Sequence, residues 1–267
     1  MRQFLVGLVV FLACSACAED AVVIEAEIVQ ADGKPLLQDG QPATLRLELQ
    51  QESLPTQVFE ASWPADTHSW TMPVSRGLPV RILSEFTHGD ASVLLGTSID
   101  FAPTAARHGV RVILAKPSSC ETLSDLQLFV PRHQAGVAGM GTTGVIAGGE
   151  SEGESSSIEF IDLIRMERYD FVDELDMSLG ATSIVAIDYH LMLVISENQP
   201  TFLYDIAIPG IVPTYTDIGS ISTPDQPEYI EFETGVRIEL VGNQSETISN
   251  ALQICIPESI DVDRVNG

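Results

Sequence analysis

A glycine-rich segment in the second half of the chain has the spacing of a serine nucleophile. Gly149, Ser151 and Gly153 fit the pattern G-x-S-x-G. That pattern requires a strained strand-to-helix turn that presents the serine beside the backbone N–H groups of an oxyanion hole. Here Gly, Ser and Glu continue to Ser157, and glutamates flank the serine, so an oxyanion would form beside negative charge. The sequence therefore predicts a solvated loop and no nucleophile.

A second glycine pattern lies just before this loop. Gly139, Gly141 and Gly144 fit the dinucleotide fingerprint G-x-G-x-x-G. The fingerprint binds pyrophosphate only where a strand precedes it and a helix N-terminus follows it. The residues that follow, Val145–Ala147, are typical of a strand, so we predict a glycine-rich hairpin and no bound cofactor.

Side chains that bind metals are present without the spacing that metal sites need. Asp261–Gly267 begins like a calcium loop but lacks the third ligand at regular spacing and the distal glutamate. Glu150, Glu152 and Glu154 are expected to form a solvated acidic loop. The chain has too few cysteines for a zinc site, and its histidines are scattered. They are His68, His88, His108, His133 and His190. We predict no metal site.

The first residues have the order of a secretory signal. Arg2 is followed by the apolar run Phe4–Ala13 and then by small residues. Ten apolar residues are too few to span a bilayer, and the order of charge, apolar run and small residues is typical of an export signal. The sequence predicts a signal peptide over residues 1–16.

Two cysteines end this signal, and here the chain resembles bacterial lipoproteins, whose signals close with small residues and a lipidated cysteine. Ser15–Ala16 fits the positions before Cys17, although Cys14 replaces the usual leucine. Phe11–Ala13, before Cys14, fits less well. The resemblance implies lipid attachment at Cys17, with Cys14 as the alternative, and a tether over residues 17–20. An ordinary cut at the same small residues would instead give secretion without lipid.

The mature chain keeps two further cysteines, Cys120 and Cys255. Outside the cytoplasm such a pair can oxidise to a disulfide. Their separation in sequence neither supports nor forbids the bond, so two buried thiols remain the alternative.

Composition excludes several classes of partner. The chain has 267 residues, of which 45% are apolar, which is enough for one or two domains with real cores. Its formal net charge is -25, and only two of its bases are lysines, Lys34 and Lys116. Since no basic cluster can neutralise phosphates, we expect no nucleic-acid partner. Anionic headgroups would repel this surface, so membrane contact is expected through the lipid anchor alone.

Residues 21–117 are predicted to form a β-sandwich of short strands. Leu45, Leu47 and Leu49 alternate with polar residues, and proline or glycine separates the apolar runs. The runs are Val22–Val29, Leu45–Leu49, Val58–Trp63, Trp70–Val74, Val80–Phe86, Val93–Phe101 and Val110–Leu114.

Within this domain, Ser69–Val74 followed by Gly77–Ile82 resembles transthyretin-like or carboxypeptidase-regulatory-like sandwiches. The resemblance implies a spacer or adhesive accessory module. Trp63 and Trp70 are interpreted as core or edge aromatics, with a ligand platform as the alternative.

Residues 118–267 contain an internal repeat. Gly148, Ser196 and Gly242 hold matching positions, 48 and 46 residues apart. The copies weaken along the chain. They comprise Arg132–Gly136, Gly144–Gly149 and Ile158–Asp162; then Ala181–Ile187, Leu191–Ser196 and Phe202–Asp205; then Gly235–Asn243 and Ala251–Cys255.

The first copy resembles the bacterial kelch repeat, in which an arginine precedes an apolar strand that ends in Gly-Gly, followed by a loop and a strand that ends in Asp. The resemblance implies a β-propeller in which Gly148 and Gly149 let the central strand turn sharply. Some kelch-like propellers are copper oxidases that resemble galactose oxidase. Because no Tyr–His constellation surrounds Cys120 or Cys255, the sequence does not predict such an enzyme.

Three copies are fewer than the roughly four to eight blades of a closed propeller. The final segment, Val262–Gly267, is similar to Val130–Gly136, which opens the first copy. An open stack would leave β-edges unpaired and an apolar face uncovered. The sequence therefore predicts an incomplete propeller, from a truncated reading frame, a fragment or an assembly of chains.

These observations favour a non-catalytic lipoprotein of the bacterial cell envelope, anchored to a membrane outside the cytoplasm. Propeller folds place function in loops at one face, so we expect Gly149–Ser157 to contact a protein or a glycan. The alternatives are a truncated piece of an extracellular propeller enzyme and an inactive remnant, which the weakening of the repeats favours.

Overall fold

A computed structural model of the chain describes residues 21–33, 43–63, 69–88, 91–151, 157–174, 179–196, 201–205, 229–243 and 247–260. Within these ranges the chain forms strands, turns and irregular segments and no helix, which confirms the all-β fold class. Accordingly, no helix in the described ranges is long and apolar enough to cross a membrane. The predicted signal peptide, with Cys14 and Cys17, lies outside the described residues.

The strands of the first half agree with those predicted from the alternating pattern. They are β1 Ala21–Gln30, β2 Ala43–Gln51, β3 Gln57–Trp63, β4 Ser69–Ser75, β5 Val80–His88, β6 Ala91–Thr97 and β7 Arg107–Ala115. The second half contains β8 Ser119–Arg132, β9 Gly136–Met140, β10 Thr143–Ala147, β11 Ser157–Asp162, β12 Glu167–Glu174, β13 Thr182–Ala186, β14 Leu191–Ser196, β15 Phe202–Asp205, β16 Tyr229–Glu231, β17 Arg237–Leu240 and β18 Ser249–Ile256.

Strands β1 to β7 form one sheet in the order β3-β2-β5-β6-β7-β1-β4, which we call the curled sheet. Leu45, Leu47 and Leu49 are each 1% exposed and face a core shared by the whole sheet, as the alternation on β2 predicted. The predicted sandwich is therefore one hydrogen-bonded sheet that folds over its own apolar face.

Side-chain hydrogen bonds hold the two edges of the curled sheet together. The Gln51 amide donates to the Ser75 carbonyl at 2.8 Å and accepts from the Ser75 N–H at 3.0 Å. The Gln57 amide donates to the Pro73 carbonyl at 3.3 Å. These contacts join β2 and β3 to β4, which lies at the opposite end of the strand order, so the sheet curls until its edges meet.

The second half forms three stacked sheets. The middle sheet has the order β12-β11-β10-β9, the outer sheet β13-β14-β15, and the closing sheet β16-β17-β18-β8. Both faces of the middle sheet are buried: Ile146 packs in a core with the closing sheet, and Val145 packs in a core with the outer sheet. An apolar run such as Val145–Ala147 is expected for a strand that is covered on both sides.

The repeat positions found in the sequence fall at equivalent places in the three sheets. Gly148, Ser196 and Gly242 lie at or just beyond the ends of β10, β14 and β17. Strands β10 and β14 are second in chain order in their sheets, and β17 is the second of the three consecutive strands β16 to β18 of the closing sheet. The structure is thus compatible with a partial propeller.

The closing sheet takes its fourth strand from the start of the repeat region. Strand β8 pairs antiparallel with β18, and Cys120 lies opposite Cys255 in that pairing. The two cysteines form a disulfide with a sequence separation of 135 residues. The bond therefore fastens the beginning of the three-sheet unit to its last described strand.

The curled sheet and the three-sheet unit share apolar packing. Ile113 and Ala115 of β7 belong to the same buried cluster as Ile238 and Ile254 of the closing sheet. This packing is continuous across the predicted domain boundary at residues 117 and 118.

A buried arginine adds an ionic contact between the two units. Arg81 of the curled sheet is 3% exposed and pairs with Asp100 and with Glu233, which follows β16. Burial raises the pKa of Asp100, and the hydrogen bond with Asp100 lowers the pKa of Glu233.

Candidate functional site

All three stacked sheets meet at one end, next to the connection between β8 and β9. The side-chain amide of Asn243 bonds both backbone groups of Ala135: its oxygen accepts from the N–H at 2.8 Å, and its nitrogen donates to the carbonyl at 2.9 Å. Because Asn243 is buried and both contacts are satisfied, the closing sheet is firmly joined to the middle sheet. We call this region the convergence end; it comprises residues 132–136, 148–151, 179–182 and 242–243.

The outer sheet is joined at the same place by backbone hydrogen bonds. The Gly149 N–H donates to the Gly180 carbonyl at 2.7 Å, and the Thr182 N–H donates to the Gln134 carbonyl at 3.1 Å. Since backbone bonds between sheets leave little freedom, the convergence end is a fixed platform.

The glycine pair of the first repeat permits this close approach. Gly148 and Gly149 have φ angles of 63° and 88°, in the left-handed region that favours glycine. A Cβ on Gly148 would lie 2.1 Å from the Thr182 hydroxyl oxygen, and a Cβ on Gly149 would lie 2.6 Å from the His133 carbonyl oxygen. The pair thus makes the predicted sharp turn and also seats the turn against two neighbouring segments.

A buried ion pair supports the platform from below. Arg132 and Glu159 are both fully buried and form a salt bridge. The Arg132 guanidinium also donates to the carbonyls of Val130, Gly148 and Ser157 and to the Ser157 hydroxyl. Burial lowers the pKa of Arg132.

The carboxylate of this pair is equally engaged. Glu159 accepts backbone N–H bonds from Phe129 at 2.6 Å and from Val130 at 3.1 Å. The guanidinium makes five hydrogen bonds inside the protein, and both carboxylate oxygens accept hydrogen bonds there. The pair therefore positions strands β8, β10 and β11 and is not placed to bind a ligand.

One exposed acidic side chain, Glu150, lies at the convergence end. Glu150 and His133 exchange backbone hydrogen bonds, and the Glu150 carboxylate, 55% exposed, lies 3.5 Å from Nε2 of His133. His133 is buried, and its Nδ1 has no hydrogen-bond partner among the described residues. The exposed carboxylate of Glu150 is therefore attached to a backbone that hydrogen bonds hold in place.

The structure places the remaining motif residues as follows. Gly139–Gly144 forms the hairpin between β9 and β10, as predicted, with a strand on each side. Of the G-x-S-x-G segment, Gly149–Ser151 is described, and the rest of the loop to residue 156 lies outside the described residues, as does Asp261–Gly267. Trp70 is half-buried against the core of the curled sheet, as interpreted, whereas the Trp63 side chain lies outside what the structure describes.

Within the described ranges, the side chains of metal-ligating type that come together are Cys120, Glu239 and Cys255. Their two sulfur atoms are bonded to each other in the disulfide.

No protein-family model and no curated protein matches the chain. The arginine of the first repeat and the strand Ile158–Asp162 were identified from the sequence, but the ion pair that joins Arg132 to Glu159 was not, since the spacing of a repeat gives no pairing partner.

Proposed function

We propose that this chain is a non-catalytic binding or scaffolding module of the bacterial cell envelope that contacts a protein or a glycan through the convergence end. The observation that carries the proposal is that backbone bonds from all three stacked sheets fix this end, while the Glu150 carboxylate is exposed there. A surface that is already held in place by hydrogen bonds loses little conformational entropy on binding, which favours recognition.

The commitments of the buried groups support a binding role over a catalytic one. Three buried polar side chains form hydrogen bonds with neighbouring strands of the protein; they are Arg132, Glu159 and Asn243. A catalytic acid or base needs a proton or lone pair directed at a substrate, and these three side chains offer neither.

The proposed cellular location is the envelope, with lipid attachment at Cys17, or at Cys14 as the alternative. Two acyl chains would give stable anchoring, because each buried CH₂ contributes about 0.8 kcal/mol. The strongly acidic chain would then stand away from anionic headgroups, which leaves the convergence end free to meet a partner.

We predict that a charge reversal at Glu150 weakens attachment to isolated cell envelopes. The assay uses the full chain with Cys14 and Cys17 replaced by serine, so that no lipid contributes, and measures the fraction that co-sediments with envelopes. Glu150→Lys is expected to reduce that fraction at least threefold, because a long cation replaces an exposed carboxylate at the contact face.

The matched control is Tyr189→Lys. Tyr189 is 74% exposed in the turn between β13 and β14, at the far end of the outer sheet. This variant is expected to sediment like the parent chain. Equal loss in both variants, or no sedimentation of the parent, would refute the proposal.

A further inference from the structure

A charged groove lies at the opposite end of the middle sheet from the convergence end. It encloses about 700 Å³ between the curled sheet and the turn that joins β11 to β12. Its lining includes Arg107, Arg111, Arg165, Glu25, Glu27 and Glu167. We call it the arginine groove.

Strand β7 and its parallel neighbour β1 form the floor. Gly109 lies between Arg107 and Arg111 on β7 and opposite Glu25 in the register. A Cβ on Gly109 would meet nothing within 4 Å, so the groove is open above this residue.

The turn between β11 and β12 forms one wall and is held in place. The Asp162 carboxylate accepts from the N–H groups of Ile164 and Arg165 at 2.9 and 3.0 Å. The Arg111 N–H donates to the Ile164 carbonyl at 2.9 Å, which fixes the turn to β7. The position of Arg165 is therefore determined by two elements.

The arginines of the groove have donors to spare. The Arg165 guanidinium is exposed and makes no hydrogen bond or ion pair with any residue that the structure describes. Among the residues that the structure describes, Arg107 forms one ion pair, at 3.2 Å to Glu25, and its side chain is 75% exposed. Such exposed ion pairs contribute little to stability, so a ligand carboxylate can replace Glu25 at small cost.

The glutamates of the groove provide hydrogen-bond acceptors. Glu27 accepts from Arg111 at 3.0 Å, and Glu167 lies 3.7 Å from the same guanidinium. Both carboxylates are about half exposed and retain free lone pairs that can accept hydroxyl hydrogens. The groove thus contains guanidinium groups that can donate to carboxylates and carboxylates that can accept from hydroxyl groups.

We propose that the arginine groove binds an acidic oligosaccharide, with uronic-acid carboxylates on Arg107 and Arg165 and sugar hydroxyls on Glu27 and Glu167. A guanidinium binds a carboxylate through two parallel hydrogen bonds, which gives orientation as well as attraction. The groove is distinct from the convergence end, so this inference does not rest on the proposed function.

Isothermal titration of the full chain with trigalacturonate tests the inference, at physiological ionic strength so that salt screens the repulsion between the acidic chain and the anionic ligand. We expect saturable binding that weakens at least tenfold in Arg165→Gln and in Gly109→Trp. The first variant removes a charge-assisted donor, and the second fills open space without backbone strain. Since each 1.4 kcal/mol is tenfold in affinity, the loss of one such contact is readily measured.

Two controls keep the test specific. Thr44→Trp places the same bulk on an exposed position of β2 and is expected to leave the affinity unchanged. Maltotriose, which has hydroxyls and no carboxylate, is expected not to bind. Absence of trigalacturonate binding to the folded chain, equal binding of maltotriose, or binding that neither groove variant weakens would overturn the inference.

Discussion

Replacing Arg132 by methionine is expected to lower the free energy of unfolding by about 3–5 kcal/mol. The substitution leaves the Glu159 carboxylate fully buried without its counter-charge and removes donors to the carbonyls of Gly148 and Ser157. A buried charge without a partner costs far more than the pair contributes when it is intact. Urea unfolding followed by circular dichroism measures the change.

Arg237→Met is the matched control for this prediction. Arg237 pairs with Glu231 at 3.2 Å, but both side chains are more than two-fifths exposed. Its loss is therefore expected to cost less than about 1 kcal/mol. The double change Arg132→Met with Glu159→Leu should recover part of the stability that Arg132→Met loses, because no unpaired charge remains. A loss below 1 kcal/mol for Arg132→Met would contradict the buried ion pair.

Removing the disulfide is expected to destabilise the oxidised protein by about 2–5 kcal/mol. The bond between Cys120 and Cys255 spans 135 residues, so it removes many conformations from the unfolded chain. It also fixes β8 to β18, which completes the closing sheet. Chemical unfolding of a variant with serine at both positions, compared with the oxidised parent, measures the effect.

Reduction supplies the control for the disulfide. Dithiothreitol should lower the stability of the parent toward that of the serine variant and leave the variant unchanged. Thiol titration of the unfolded parent without reductant should find no free thiol in the mature body. Two free thiols would mean that the alternative of two unpaired cysteines is correct.

The strands were largely predictable from sequence because side-chain alternation is a local property. Leu45, Leu47 and Leu49 show which face of β2 is buried, and they lie in the core of the curled sheet. Val145–Ala147, apolar without alternation, was correctly predicted as a strand, and both of its faces are covered. Turn glycines were equally informative, since Gly148 and Gly149 adopt positive φ angles.

Strand partners were not predictable, because alternation identifies a face and not a neighbour. Val130–Gly136 was expected to open the first repeat, but its first three residues end strand β8, which completes the closing sheet beside β18, more than 100 residues away. The curled sheet follows the same rule: its strand order joins β1 to β7 in parallel, a pairing that no local pattern encodes. The curled sheet is compatible with the predicted β-sandwich, but the arrangement of all seven strands in one sheet depends on such pairings.

For the candidate site, too, local features were predictable from sequence and contacts between distant segments were not. The loop at Gly149 was identified from its composition, but its base needed the contacts of Gly180 and Thr182, which come from another sheet. The arginine groove was missed because Arg107 and Arg165 are separated by more than 50 residues and neither belongs to a motif.

Photo-crosslinking in living cells tests the central claim, that the convergence end is the binding face, most directly. A benzophenone amino acid is placed at position 150 in one chain and at position 189 in another; both native side chains are exposed, at opposite ends of the stack. We expect irradiation to give discrete, reproducible adducts from position 150 and none from position 189. Adducts from position 189 alone, or the same adducts from both positions, would contradict the claim.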